Sequence, residues 1–399
     1  MSSHPTQPIL ILHNYYQQGG GEDNAFAAES KLLTSYGHKV VHFTISNETI
    51  KSMSYLDLAK ATLWNKATYL KVRDIIRHER PWIAHFHNTF PLISPSAYDA
   101  CHEYGIPVIQ TLHNFRLLCP GGLLFQKGQL CESCLRGTIP WHGLIQACYR
   151  RSFFATFAVC GMLSLHKAMK TWISKVDTYI ALTQFARNKF VEGGLPSSKI
   201  IVKPNFLDLE PCFSSATPKG ALFVGRFSSE KGIKTILRAW LFMKEIPLKM
   251  VGDGPLLTQI EKFIGRKVLR NIELISWVSR KEILDMMKRS RFLVFPSECY
   301  ENFPMSILEA FACAIPVIAS RRGAMEEIIE NSRTGLHFNP GDAEDLAAKV
   351  NWAWSHPSQM AEMGLQARRE YEMRYTGKRN YEMLMRIYRN AAATKSRVN

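Results

Sequence analysis

No stretch of this 399-residue chain is long and apolar enough to cross a bilayer. The longest nearly charge-free apolar run, Phe153 to Leu165, has 13 residues, against about 20 for a spanning helix. The N-terminal MSSHPTQPILIL has no basic region ahead of a signal-type core, so export is not expected and the protein should stay in the cytosol. The nine cysteines are an odd number without a secretion signal, which argues against a full disulfide framework. There is no Asp-x-Asp pair, no G-x-G-x-x-G, no short-period repeat and no low-complexity segment. Acidic residues are also short: 34 Asp and Glu stand against 50 Lys and Arg, a net charge of +16. That excess favours an anionic partner, whether nucleic acid, nucleotide phosphates or an acidic membrane surface. No nucleic-acid module signature is present, so no polynucleotide partner is expected.

What is present is a globular composition, 46% hydrophobic and 21% charged, on a chain long enough for two α/β domains. Apolar strands alternate with helical stretches in two series, which implies parallel sheets with right-handed crossovers. The first series runs PILILHNYY, KVVHFTI, PWIAHFH, PVIQTLH and VDTYIAL. Between the first two lies a helix with Ala25, Ala28, Leu32 and Leu33 on one face, and TQFARNKFVEGG reads as a helix begun by Thr183. A Pro- and Ser-bearing stretch, Lys203 to Gly220, reads as a linker. The second series runs ALFVGR, LKMVGDGP, NIELI, FLVFPS and PVIAS, and helices fill the chain from Asp342 on. The expected division is 1–205, with a Cys-rich insert at about 115–150, then 206–375, and a terminal helix 376–399 that returns to the first domain. The fold expected is α/β, two facing Rossmann-like domains with parallel sheets and a cleft between their strand ends.

The most informative segment is FPSECYENFPMSILEAFACAIPVIAS, Phe295 to Ser320. A buried strand leads to a loop bearing Glu301. Pro304 sits where the first turn of a helix should be, and Glu309 falls within that helix. The N–H groups and partial positive charge of such a helix start can hold a phosphate, with Met305 and Ser306 as backbone donors. FVGRFSSEKG places Arg226 and Lys231 on a loop after a strand, where two cations can neutralise a diphosphate; the plain alternative is a solvated basic loop. Gly19, Gly20 and Gly21 end the first strand and let the backbone approach a ligand closely. Gly252 and Gly254 read as a strand-end turn. His113 closes a strand and points toward the expected cleft. His85 and His87 share a strand face and could look like metal ligands; without a third ligand nearby, His87 reads as a cleft-wall residue.

Glu301 and Glu309 match the E-x7-E signature of the retaining glycosyltransferases of family 4, the group 1 transferases, which have the GT-B fold. The chain resembles that family along nearly its whole length, in order: the early glycine loop, HFHN, TLHN, ALTQFARNKFVEGG, KPN, FVGRFSSEKG, VGDGPL and the E-x7-E block. One departure is Pro304, where many members carry Gly. The resemblance implies transfer of a sugar from a nucleotide-diphosphate sugar to a glycan or lipid-linked acceptor, with retention. It gives Glu301 and His113 to the transferred sugar and Glu309 to the nucleotide ribose. Gly19, Gly20, Gly21, Arg226, Lys231, Phe303, Met305 and Ser306 are assigned to donor binding. With no Asp-x-Asp, no catalytic metal is expected. Two rivals remain: a GT-B-fold nucleotide-sugar epimerase, and a zinc-bearing, membrane-associated binding protein without catalysis.

Cys119, Cys131, Cys134 and Cys148 lie 11, 2 and 13 intervening residues apart in a turn-rich stretch. A tetrahedral structural zinc suits that pattern; a redox pair, a disulfide or unliganded thiols are the alternatives. The apolar run FFATFAVCGMLSLHKAMKTW, residues 153–172, is either a core helix or an interfacial one. From Arg136 to Lys203 ten Lys and Arg face only Asp177 and Glu192. A peripheral contact with an anionic membrane surface, on the inner face of the cytoplasmic membrane, therefore stays open.

Overall fold

Strands that are covered on both faces read as near-continuous apolar runs, and the runs at the head of each series fold that way. The computed structural model describes residues 7–17, 19–209 and 218–398. The N-terminal reading falls partly on residues 1–6, and the linker reading partly on 210–217; both segments lie outside the described residues. The chain divides into two units. The first holds the described residues up to Leu124, Cys131–Asn205 and those from Asn380 on; the second holds Phe125–Leu130 and the described part of Phe206–Arg379.

The strands of the first sheet are β1 (Ile9–Tyr15), β2 (Val40–Ser46), β3 (Ile83–Asn88), β4 (Val108–Leu112), β7 (Thr178–Ala181) and β8 (Ile200–Val202). Between β4 and β7, the short strands β5 (Phe125–Gln126) and β6 (Gln129–Leu130) pair antiparallel with each other and join neither large sheet. The first sheet is parallel throughout, in the order β2-β1-β3-β4-β7-β8. Its core joins Ile9, Ile11, Ile83, Ile109 and Ile180 to Leu384, Ile387 and Tyr388 of the terminal helix Gly377–Val398. That helix therefore covers one face of the first sheet.

The second sheet holds β9 (Ala221–Val224), β10 (Leu248–Val251), β11 (Ile272–Ile275), β12 (Phe292–Phe295), β13 (Val317–Ser320) and β14 (Gly335–Phe338). It too is parallel, in the order β11-β10-β9-β12-β13-β14. Each sheet has one strand more than the sequence suggests. β8 is only three residues long, and the apolar run of β14 is interrupted by His337. Strand order reverses between β1 and β3 in the first sheet and between β9 and β12 in the second. Ligands of open parallel sheets bind outside the carboxyl ends of the strands at such switch points.

The 153–172 run is not one helix. The helix Phe153–Ala168 ends where Lys170 turns left-handed (φ +55°), and a short turn Thr171–Ser174 follows. Nor is it wholly core. Thr156, Val159, Cys160, Met162, Leu163 and His166 are buried, while Phe153, Phe154, Phe157 and Leu165 are exposed.

Candidate active site

In the second unit, the loop leaving β9 carries Arg226, which is exposed, and then the single turn Ser229–Lys231. Gly232 follows at φ +68°, and a Cβ there would stand 1.9 Å from the Pro296 carbonyl oxygen. Glycine alone lets this loop lie against the loop leaving β12. Two hydrogen bonds join the loops: Glu298 N–H to the Glu230 carbonyl at 2.8 Å, and Ser297 Oγ to the same carbonyl at 3.1 Å. The result is a Lys231 Nζ held 2.6 Å from Glu301 Oε1, which also accepts the Ser297 hydroxyl at 2.6 Å. Burial opposes charge on both partners. Pairing wins: Glu301 holds the Lys231 ammonium above its usual range, and Lys231 with Ser297 holds the Glu301 carboxyl below its own.

Glu301 stands in the loop, four residues ahead of the helix Met305–Ala312. Met305 and Ser306 are its first two residues, so their N–H groups have no intrahelical acceptor. Glu309 lies within the helix, and its Oε1 accepts a hydrogen bond from Arg280 Nε at 3.0 Å. Burial raises the Glu309 carboxyl against the opposing pull of Arg280. Phe303 packs edge-on to Tyr375, 5.8 Å between ring centres. Thus Lys231 and Glu301 meet on the loops leaving β9 and β12, the strands of the switch point, and the helix Met305–Ala312 begins four residues further along the chain. At the end of β10, a Cβ on Gly252 would lie 2.0 Å from the Gly225 oxygen, which makes VGDGP a closely packed turn.

The first unit is built differently. Gly19, Gly20 and Gly21 lead from β1 into the helix Gly21–Ser35, and a Cβ on Gly20 or Gly21 would meet nothing within 4 Å. The first turn of that helix already carries two carboxylates. Asp23 accepts the Gly20 N–H at 2.9 Å and faces His13 Nε2 at 2.6 Å; Glu22 accepts Asn114 Nδ2 at 2.5 Å. Burial pushes the Glu22 carboxyl up to about 7, against Asn114 and Arg116.

Behind this lies a buried row of charged and polar groups. Lys203 is 1% exposed and its Nζ is hydrogen-bonded to Glu29 Oε1, itself on a 4% exposed residue. Glu29 Oε2 faces His87 Nε2 at 3.3 Å, and His87 Nδ1 lies 3.0 Å from His113 Nε2. His85 bonds Tyr388 Oη and Thr111 Oγ1, each at 2.8 Å. Burial works to raise the Glu29 carboxyl, but Lys203 and the two imidazoles hold it well below the usual range. Burial holds the His85, His87 and His113 imidazoles below theirs. These directions favour the ionised Glu29 carboxylate and the neutral form of the three rings.

Among the described residues, Glu29, His85 and His87 are the one group of three or more His, Cys, Asp or Glu whose ligand atoms all lie within 4.8 Å. The third potential ligand missing from the sequence reading is thus Glu29. However, Lys203 already neutralises that carboxylate, and both nitrogens of His85 are engaged, so the arrangement is an ion pair with neutral rings rather than a cation cage. Sequence reasoning missed Glu29, Lys203, Glu22, Asn114 and Arg280 as site residues. Glu29 left a signal: it lies on the same buried helix face as Ala25, Phe26, Leu32 and Leu33, and a charge on an apolar stripe calls for a partner.

Cys119, Cys131, Cys134 and Cys148 do not make a second group of that kind, and none of them is in a disulfide. Cys134 Sγ accepts the Gly143 N–H at 3.3 Å. Burial pushes the Cys134 thiol up to about 11 and that of Cys160 up to about 12.

Residues 213–370 match the glycosyl transferases group 1 family, and residues 30–211 match glycosyltransferase family 4. The uncharacterized glycosyltransferase MJ1178 of Methanocaldococcus jannaschii is 27% identical over 288 residues, 70% of this chain and 74% of that one. The D-rhamnosyltransferase WbpZ of Pseudomonas aeruginosa is 31% identical over 176 residues, 44% of this chain and 46% of its own. Among solved structures, Anabaena Alr3699/HepE in complex with UDP and glucose is similar in fold, with a TM-score of 0.67 at 18% identity. The match covers 98% of this chain and 99% of that one. Two Rossmann-like parallel sheets of the GT-B kind, and two family matches that follow one another along the sequence, lead to one conclusion: the chain belongs to the group 1, family 4-like glycosyltransferases and is a glycosyltransferase.

Proposed function

We propose that this enzyme transfers a sugar from a nucleotide-diphosphate sugar to a glycan or lipid-linked acceptor, with retention and without a catalytic metal. The observation that carries this reading is the Lys231–Glu301 pair, on the loop that leads within four residues to the helix start Met305–Ser306. On this reading Lys231, with Arg226, neutralises the departing diphosphate, and the helix N–H groups hold it. Glu301 lies toward the transferred sugar and Glu309 toward the ribose. The MJ1178 and HepE likenesses support a nucleotide-sugar donor, since the second is a complex with UDP and glucose. His113 of the first unit contacts the transferred sugar. Gly19, Gly20 and Gly21 give an open backbone approach; the carboxylates of Glu22 and Asp23 beside them suit hydroxyls better than phosphate.

The test replaces Glu301 by Gln rather than Ala, because Ala would strand the Lys231 ammonium. Glu301→Gln should lower turnover of a nucleotide sugar by about a thousandfold while the protein stays folded, and wild-type turnover should persist in EDTA. Unchanged turnover in the variant, or its loss with chelator, contradicts the reading. Product of inverted anomeric configuration would contradict retention.

Two further parts belong to the proposal. Phe153, Phe154 and Phe157 are 55%, 79% and 60% exposed, next to exposed Arg150 and Arg151. Such a face suits shallow insertion into an anionic membrane surface, where a lipid-linked acceptor would reside. Flotation with anionic liposomes that captures the wild type but not F153S/F154S/F157S supports it; no capture of wild type rejects it. A structural zinc on Cys119, Cys131, Cys134 and Cys148 is supported by the N–H bond to Cys134 Sγ, and requires the sulfurs to close up. Purified protein without zinc, its four thiols open to alkylation, would reject that part.

A further inference from the structure

Two guanidiniums share one aromatic ring beside the carboxyl ends of the first sheet. Arg116, on the loop leaving β4, stands 5.1 Å from the Tyr149 ring centre and 4.7 Å from that of Phe90, on the loop leaving β3. Arg150 stands 5.7 Å from the same Tyr149 ring, and its Nη2 donates at 3.0 Å to Gln17 Oε1, on the loop leaving β1. Like charges repel, so two cations on one ring call for an anion. Among the described residues neither has one in an ion pair. Arg116 donates to the Pro120 carbonyl, and its Nε has no partner. Glu22 acts on Arg116 through space, but burial pushes its carboxyl up to about 7, which leaves it half protonated at neutral pH. A guanidinium over a ring keeps its N–H edge for the oxygens of a phosphate.

Beside this pair lies an apolar groove of about 700 Å³, lined by Met53, Ala61, Trp64 and Leu92 among others, and charged only at Lys60, Lys66 and Asp57. Asn14, on β1, ties groove and guanidiniums together. Its Oδ1 accepts the Leu92 N–H at 2.9 Å, and its Nδ2 donates to Asn47 Oδ1 at 2.8 Å. Asn47 begins the short helix Asn47–Ser52, whose Thr49 lines the groove, and its carbonyl accepts Gln17 Nε2 at 3.1 Å. Gln17 therefore bonds Arg150 through its oxygen and the groove wall through its nitrogen. Leu92 is two residues from Phe90. Another wall is the helix Tyr55–Leu63. The Leu63 carbonyl bonds His166 Nε2 at 2.8 Å, on the helix that exposes Phe153, Phe154 and Phe157.

A cation pair fits an anion, and an apolar groove does not. A ligand with an anionic head on a hydrocarbon chain satisfies both together. We propose that the acceptor bound by the first unit is a lipid phosphate, with its phosphate on Arg116 and Arg150 and the first part of its hydrocarbon chain in the groove beside Trp64 and Leu92. This rests on the reading of the chain as a sugar transferase with a glycan or lipid-linked acceptor, and it decides between those two. The phosphate concerned is the acceptor's own, not the donor's, and the acceptor's hydroxyls are left to Glu22 and Asp23.

The probe is farnesyl phosphate, titrated without vesicles into the full-length protein, with farnesol and inorganic phosphate as the tail and the head alone. Wild type should bind it at least about a hundredfold more tightly than inorganic phosphate, because each buried CH2 is worth about fourfold. It should also bind at least about tenfold more tightly than farnesol, the worth of one charge-assisted contact. Arg150→Ala should lose that tenfold and bind farnesol as wild type does. Ala67→Trp fills the groove from an exposed position, and should weaken farnesyl phosphate and farnesol alike by about tenfold. Both variants should bind the nucleotide that wild type selects from UDP, GDP, ADP and TDP within about twofold, which shows them folded. Inorganic phosphate or farnesol binding as tightly as farnesyl phosphate overturns the proposal, and so does full farnesyl phosphate affinity in either folded variant. The wild-type comparison decides even if neither variant folds. Failure of all four nucleotides to bind would remove the transferase reading itself, whereas nucleotide binding without a preference for farnesyl phosphate removes only the lipid-phosphate acceptor.

Discussion

Both units keep charge near the carboxyl ends of a parallel sheet, and they do so in opposite ways. In the second unit one ion pair, Lys231–Glu301, sits on two adjoining loops, its side chains 25% and 15% exposed. In the first unit the pair Lys203–Glu29 is sealed behind the sheet end, its side chains 1% and 5% exposed, and neutral imidazoles lead from it toward the surface. The shallow pair can exchange partners with an anionic ligand; the deep one cannot, and can only orient what lies in front of it. The difference suits a phosphate-binding unit and a hydroxyl-binding unit.

The sharpest way to break this contrast is to remove the shallow cation. Lys231→Ala should reduce nucleotide-sugar turnover about a hundred- to a thousandfold, the scale of deleting one charge-stabilising group; a loss below tenfold would mean that phosphate is held elsewhere. Next comes the joint that aims Lys231. Gly232→Ala would place a methyl on the Pro296 carbonyl, and should destabilise the protein by about 3 kcal/mol, read as a lower urea midpoint. A variant as stable as wild type would show that the two loops are not locked together.

The deep network should report itself through pH. His85, His87 and His113 are held below the ordinary imidazole range in the fold, so the unfolded chain binds protons that the folded chain excludes. Their stabilising effect is complete above about pH 6.5 and is lost as the pH falls below it. Between pH 7 and 6 the loss should be about 2 kcal/mol for the three together, seen as a falling denaturant midpoint; a flat profile would contradict neutral buried rings. The smallest effect expected is at the exposed Arg280, which bonds Glu309. Arg280→Ala should shift donor KM by no more than about fivefold, as for an exposed ion pair, and a larger shift would place Arg280 in the nucleotide site.

The same contrast explains what was legible in the sequence. Arg226, Lys231, Glu301 and Glu309 lie in two contiguous segments whose strand, loop and helix order is local, so the motif nearly spells the geometry. Glu29, His87, His113 and Lys203 come from a helix and from the ends of three strands, and only the strand order β2-β1-β3-β4-β7-β8 makes them neighbours. Spacing along the chain carries none of that. His113 could be singled out by resemblance and by its place after a strand, but its partners could not. The helix Phe153–Ala168 failed as an either/or for a similar reason: its composition is apolar nearly all round, and only packing decides that Phe153, Phe154 and Phe157 face outward.

The central claim is that the second unit holds the donor's diphosphate and the first does not. Calorimetric titration of UDP, GDP, ADP and TDP, in EDTA, into wild type, Lys231→Ala and His113→Ala tests it most directly. The account predicts that one nucleotide binds the wild type, at least tenfold more weakly to Lys231→Ala and within about twofold of wild type to His113→Ala. Undiminished binding to Lys231→Ala, or loss of binding in His113→Ala alone, would contradict it.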